Sequence, residues 1–375
     1  MPIEPVRLRL HEIRLPLREP FAISSGVVQD RRILLVEVTD ADGGVAWGEC
    51  VAGERPNYSP ETVDTASLAV RSWIAPEVLG RSFDTAGDLA RALATRIQGH
   101  QMARAAVEMA AWALEADRTG VSLARHLGGT RARIPIGISL GLQNHPDALV
   151  ARARAARDQG YRRVKLKIAP GRDHAYVAAV RETLGADVAL SVDANAAYTL
   201  EDTEHLTVLD RFALVMIEQP LRQGDLRRHA ALQARLRTPL CLDESITCPE
   251  DAQDAVALGS ARVVNIKPGR VGGFAAARAI HDVCAAAGMP VWCGGMLESG
   301  IGRAHNVALA SLPNFALPGD LSPSARYWER DIVTPEWTMD ADGFGTVPLD
   351  RAGLGVRVDR DRIDDLTTAM AELHA

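Results

Sequence analysis

"RVKLKIAPG", residues 163–171, sets two lysines, Lys165 and Lys167, inside a largely apolar run. Successive side chains of a strand point to opposite faces, so both ammoniums fall on the same side. A strand that reads as buried yet carries two cations on one face needs a site there that uses them. Runs of the same kind flank it: "IPIGIS" (134–139), "VALSVDAN" (188–195), "LVMIEQP" (214–220), "PLCLDES" (239–245), "RVVNIKPG" (262–269) and "MPVWCGG" (289–295). Segments of helical composition rich in alanine and arginine follow them, as in "GFAAARAIHDVCAAAG" (273–288). Short apolar runs alternating with helices read as buried parallel strands in β/α units.

The spacing is regular. Lys167 to Asp193 is 26 residues, Asp193 to Glu218 is 25, Glu218 to Asp243 is 25 and Asp243 to Lys267 is 24. One unit in about 25 residues predicts an α/β fold of (β/α)8 barrel type after residue 130. The weak eighth strand is expected at "FALPG" (315–319). A doubly wound sheet is disfavoured, because no glycine-rich dinucleotide fingerprint stands at the first βα turn. Residues 1–130 differ. "PVRLRLHEIRLPL" and "RRILLVEVTDADGGVAWGEC" alternate like antiparallel strands around a "DADGG" turn, and "QMARAAVEMAAWALEADRTG" (101–120) is helical. This predicts an N-terminal α+β capping domain. An irregular segment, 321–375, is expected to pack back on it.

Bulk properties narrow the class. The chain has 375 residues, 47% hydrophobic and 24% charged, with a net charge of −6. That balance offers no basic surface for nucleic acid and no polybasic anchor for a membrane. The N-terminus has no apolar core of signal-peptide length, and five cysteines without a CxxC pair fit reduced thiols. A cytoplasmic enzyme with a small-molecule partner is expected.

In barrels of this type the chemistry lies at the C-terminal strand ends. Lys165 and Lys167 are on the second strand, and Asp193, Glu218 and Asp243 end the next three. Lys267 ends the sixth. Neighbouring strands lie about 4.8 Å apart, so the three carboxylates crowd one arc and would repel unless a divalent cation joined them. An all-oxygen donor set favours Mg2+ or Mn2+ over zinc. Strands two and six are opposite in an eight-membered ring, so Lys167 and Lys267 would face each other across the mouth. That suits removal of a proton from the carbon next to a carboxylate, with an acid or base on each face. A lysine base needs a lowered pKa, which a second ammonium and a dication would supply. Lys165 is then the tuning and orienting partner of Lys167.

Each charge alone has a plainer explanation, as a rim lysine or a helix cap. The whole set in phase with the β/α period does not. Asn195 reads as a neighbour of the metal arc or a loop residue, Ser139 as a substrate contact or a cap, and Trp112 as core. "KPGRVGG" (267–273) is not a P-loop, and "CGGMLESG" (293–300) brings backbone close to the mouth or makes a tight turn. No histidine falls at a strand end.

At these residues the sequence resembles the enolase superfamily, in its muconate-cycloisomerase-like subgroup, and there the o-succinylbenzoate synthase and N-succinylamino acid (N-acylamino acid) racemase family. The likeness runs through "MARAAVEMAAWALEA", "YRRVKLKIAPG", "VDANAAYTL", "IEQPL", "TPLCLDES", "VWCGGMLESGIGRAHNVALASLPNF" and "LPGDLSPSARYWERDI". It implies a (β/α)7β TIM-like barrel over 131–320 with an α+β capping domain, Mg2+ on Asp193, Glu218 and Asp243, and Lys167 with Lys267 as the acid–base pair. It implies a substrate pocket of Ser139, Gly295 and Met296 with the capping loops "PFAISSG" (20–26) and "VAGERPNY" (51–58), through Phe21 and Tyr58. Arg270 stands where an arginine accompanies racemase activity and is implied as a further substrate-binding residue, and a homo-oligomer is implied. The reaction would be racemisation of N-succinylamino acids, or dehydration to o-succinylbenzoate in menaquinone biosynthesis. Mandelate-racemase-like enzymes have a histidine where "WCGGM" stands, and dipeptide epimerases have a second aspartate where "PGDLSPS" has only Asp320. Muconate-type cycloisomerisation shares the same metal and lysine set and differs only in the pocket. A Schiff-base aldolase without metal, or a barrel kept for binding, are the rivals of another class.

Overall fold

The structure is a computed structural model that describes residues 2–23 and 26–375. Strands β1 (Pro5–Ile23), β2 (Gly26–Asp40) and β3 (Val45–Cys50) form an antiparallel sheet, with Ile13 opposite Ile33 and Val36 opposite Gly48. The expected alternation fails along 33–38, where every residue of "ILLVEV" is buried. Both faces of the sheet are covered. Leu8, Leu10, Leu34 and Val36 join the main core, while Ile13, Leu15, Ile33 and Leu35 pack with Trp328, Ile332 and Ile363 of the C-terminal segment.

The helix Gln101–Arg118 lies on this sheet, held by its buried Met102, Ala106, Met109 and Ala113. The approach is close at Gly48, where a Cβ would stand 1.8 Å from the Ala106 carbonyl oxygen. Only glycine allows that contact.

After β4 (Arg133–Pro135), seven parallel strands follow: β5 (Gly137–Leu140), β6 (Arg163–Lys167), β7 (Leu190–Asp193), β8 (Ile217–Glu218), β9 (Leu240–Leu242), β10 (Val263–Ile266) and β11 (Val291–Cys293). They lie side by side in sequence order. The ring closes through residues 314–320, which bond both end strands. Val291 N donates to Asn314 O at 3.1 Å and Asp320 N to Cys293 O at 3.0 Å, while Gly137 N donates to Gly319 O at 2.7 Å. The expected eighth strand at 315–319 is thus not regular, only bridges at Phe315 and Gly319. Pro318 lacks a donor and interrupts the ladder.

The C-terminal segment divides. Strand β12 (Val333–Thr334) pairs with β14 (Arg357–Val358), β13 (Phe344–Thr346) pairs with β4 at the barrel's foot, and β15 (Thr367–His374) adds to the capping sheet beside β1.

Two buried acids tie the capping domain to the barrel. Glu49 of β3 accepts Ser299 Oγ at 2.6 Å and Gly302 N at 3.0 Å. Glu108 accepts Phe274 N at 2.8 Å and Ala275 N at 2.9 Å. Each carboxylate meets free amides at the start of a barrel helix, Gly300–Ala310 or Phe274–Ala286. Among the described residues, no helix is long and apolar enough to cross a membrane.

Candidate active site

The parallel register puts the charges on one level, with Lys167 opposite Asp193 and Asp193 opposite Glu218. Asp243 and Lys267 stand one residue past β9 and β10. Lys167 Nζ lies 2.6 Å from Asp193 Oδ2 and 2.6 Å from Asn195 Oδ1. Lys165 Nζ lies 2.8 Å from Glu218 Oε2, 2.7 Å from Asp320 Oδ2 and 3.3 Å from Asp193 Oδ2. Lys267 Nζ lies 2.7 Å from Asp243 Oδ2 and 3.0 Å from Tyr58 Oη. Gly294 makes room for Lys267, since a Cβ there would come within 2.6 Å of its Cε.

Burial alone would lower Lys165 and Lys267, but the facing carboxylates outweigh it and hold both well above the ordinary lysine value. For Lys165 those carboxylates are Asp320, Glu218 and Asp193; for Lys267, Asp243 leads. The crowded carboxylates diverge. Burial, then Asp193 and Asp243, push Glu218 up to about 8 against the pull of Lys165. Burial opposes ionisation of Asp193 and Asp243, but Lys167 with Lys165, and Lys267 with Arg270, hold them below the usual range.

This donor set fits a hard cation. Glu244 Oε2 and Asn265 Oδ1 are buried and accept no hydrogen bond from a described residue, while Asp243 Oδ1 faces the Arg270 guanidinium at 3.1 Å. Orphaned oxygens beside an acid that resists ionisation mark a place short of positive charge, and oxygen donors suit Mg2+ or Mn2+. Among the described residues, the group of three whose ligand-type atoms all lie within 4.8 Å of one another is Asp173, His174 and His205; the oxygens of Asp193, Glu218 and Asp243 do not come that close together and are held on the lysines instead. The Asp173 group reads better as a tie. His205 Nε2 and Tyr198 Oη lie 2.6 Å and 2.8 Å from Asp173 Oδ2, and the two imidazoles stack at 4.0 Å. Stacked rings direct their in-plane lone pairs into separate planes, away from one shared ion.

A cavity of about 460 Å³ between the capping domain and the barrel mouth is lined by Phe21, Tyr58, Lys167, Lys267, Gly295 and Met296, among others. A smaller recess beside it reaches Ser139, Lys165 and Asp320. Ser139 Oγ is buried there with no partner among the described residues. The tip of the first capping loop, 24–25, lies outside the described residues. Arg270 is a correction. It lines neither space, because its guanidinium is drawn behind Asp243, 3.1 Å from Oδ1, and donates to Ile246 O at 2.8 Å.

Four residues of the network escaped the sequence reading. Asp320 also pairs with Arg163 at 2.9 Å, Asn265 Nδ2 donates to Glu218 Oε1 at 2.8 Å, Glu244 Oε1 accepts Asn195 Nδ2 at 3.0 Å, and Trp292 lies 4.8 Å from Lys165 Nζ. Asp320 was within reach, since it directly follows the expected eighth strand, as Asp243 directly follows the fifth.

A barrel with three strand-end carboxylates, flanking lysines and an α+β cap defines a class, and the chain belongs to it. Residues 148–362 match the enolase C-terminal domain-like family, and 6–128 match the mandelate racemase / muconate lactonizing enzyme N-terminal domain. The chain is 47% identical over 358 residues to o-succinylbenzoate synthase of Geobacillus kaustophilus, covering 96% of this chain and 94% of that one. It is also 47% identical over 363 residues to N-succinylamino acid racemase of Amycolatopsis sp, covering 96% and 97%. An enolase-superfamily member from Listeria innocua superposes with a TM-score of 0.95 at 39% identity over 99% of both chains.

Proposed function

We propose that the protein is a Mg2+-dependent enzyme that removes the α-proton of an N-succinyl- or N-acylamino acid and returns one to the opposite face. We extend the proposal to dehydration giving o-succinylbenzoate at the same site, because relatives of near-equal identity carry one name or the other. The observation that carries the reading is the placement of Lys167 and Lys267. They lie four strands apart around an eight-membered ring and line one cavity.

The residues divide the work. Lys167 and Lys267 approach the α-carbon from opposite sides, one as base and the other as acid. In racemisation they exchange roles with the enantiomer. In dehydration one lysine takes the α-proton and returns it to the departing hydroxyl, which leaves as water, while the other lysine stays protonated beside the enolate. Lys165, buried against Glu218 and Asp320, offers a fixed positive charge to the oxygens of the enediolate. Asp193, Glu218 and Asp243 would hold the cation, which supplies Lewis-acid stabilisation of that charge. Ser139, Phe21, Gly295 and Met296 would shape the pocket around the acyl and side-chain groups. All five cysteines are unpaired, which supports a cytoplasmic setting, and we expect a homo-oligomer.

The test is incubation with N-succinyl-L-phenylglycine, Mg2+ and D2O, following the α-proton by NMR and the optical rotation. Exchange with loss of rotation, stopped by EDTA, is the expected result; Lys167→Ala and Lys267→Ala should both lose racemisation, and the one that removes the base facing the L-substrate should also lose its exchange. Wild-type protein that neither exchanges nor racemises this substrate would overturn the racemase reading.

A further inference from the structure

The two cavity lysines have unlike partners. Lys167 is held by the barrel, through Asp193 and Asn195. Lys267 is held by Asp243 and by a residue of the capping domain, Tyr58, whose hydroxyl accepts its Nζ at 3.0 Å. The Tyr58 ring stands 5.2 Å from the same ammonium. Its hydroxyl also points to Asp243 Oδ2 at 3.4 Å.

We infer that Tyr58 is a positioning residue for Lys267, so that the capping segment after β3 sets the aim of one lysine while the barrel alone sets the aim of the other. The inference rests on the two-lysine reading above. A phenol hydroxyl both accepts and donates, so the Tyr58 oxygen accepts from Lys267 while its hydrogen is free for Asp243. Asp243 is also a candidate cation ligand, and a carboxylate shared with a cation attracts an ammonium less. Tyr58 is then the partner whose hold on Lys267 lasts. The chain from sheet to lysine is short: β3 ends at Cys50, and Tyr58 follows eight residues later on a loop whose start is fixed by Arg31, which donates to Val51 O at 2.8 Å and Ala52 O at 2.9 Å.

Tyr58→Phe removes one oxygen and keeps the ring. In a two-base racemase the catalytic efficiencies in the two directions stay linked by an equilibrium constant of unity, so racemisation must fall equally in both. Hydrogen exchange with retention is not so constrained, because each lysine can exchange its own enantiomer. The experiment measures α-hydrogen exchange in D2O for L- and D-N-succinylphenylglycine with the Mg2+-loaded enzyme. Lys267→Ala and Lys167→Ala assign which enantiomer each lysine serves. In Tyr58→Phe, exchange of the enantiomer facing Lys267 should fall roughly tenfold or more, the loss of one hydrogen bond to a charged group. Exchange of the other should stay within about twofold. Asn195→Ala should give the reverse asymmetry, which a general loss of fold or of substrate binding cannot produce. An equal fall for both enantiomers in Tyr58→Phe, or no fall in either, overturns the inference. Wild-type enzyme that exchanges neither enantiomer overturns instead the reading on which it rests.

Discussion

Lys165 Nζ and Asp320 Oδ2 lie 2.7 Å apart across the seam where the barrel closes. Asp320 also takes Arg163 at 2.9 Å, so one carboxylate of the closing segment answers two buried cations of β6. Removing it leaves both without that partner in a site that water barely reaches. Breaking a buried ion pair from one side costs about 3–5 kcal/mol. Asp320→Ala should lose stability on that scale in denaturant unfolding. Asp320→Asn keeps the shape but lets Lys165 drift, and its kcat should fall more than its KM rises.

Cation binding should be visible without turnover. A ligand that binds only the folded protein stabilises it by about 2.7 kcal/mol at one hundred times its dissociation constant. Mg2+ should raise the Tm of the wild type, and EDTA should reverse it. In Asp193→Ala and Asp243→Ala the rise should shrink or vanish. A shift that persists in both variants, and disappears in His205→Ala, would move the cation to the Asp173 cluster.

How far the sequence was legible follows from what each residue depends on. Asp193, Glu218, Asp243, Lys167 and Lys267 could be placed on one level from the sequence because strand ends recur with the β/α period, and that period is local. Asp320 was passed over because Pro318 makes its strand irregular, so the pattern fades where the chemistry continues. Arg270 was misplaced because nothing in "KPGRVGG" tells whether its guanidinium turns to the cavity or back behind Asp243. Strand β15 is the same lesson at the level of fold. "TTAMAELH" is rich in helix formers, yet the open edge of β1 draws it into the sheet.

Acid should weaken the fold through His305. This side chain is fully buried on the helix Gly300–Ala310, its ring 5.7 Å from that of Phe274, and burial holds its pKa down at about 4. The unfolded chain has the ordinary value near 6.5. A depressed histidine contributes stability that is present above the unfolded value and is lost as pH falls toward the folded one. The loss over pH 6.5 to 4 is about 3 kcal/mol, from a shift of roughly 2.5 units at 1.36 kcal/mol each. His305→Gln should be less stable than wild type at pH 8, and the gap should narrow by that amount at pH 4. A gap constant with pH would show that His305 does not carry the acid sensitivity.

Ser139 gives the clearest separation of stability from function. Its hydroxyl is buried beside Lys165 and Asp320 and makes no hydrogen bond to a described residue. A buried polar group left unsatisfied costs about 1–3 kcal/mol, so a fold with no use for this hydroxyl would be better with alanine. Ser139→Ala should therefore unfold no more easily than wild type, and up to about 1 kcal/mol less easily. If the hydroxyl instead serves substrate, the same change should lower kcat/KM roughly tenfold, the worth of one hydrogen bond. Equilibrium unfolding and steady-state kinetics on this one variant read the two effects with opposite signs. A loss of stability together with unchanged kinetics would make Ser139 a structural residue and remove it from the pocket.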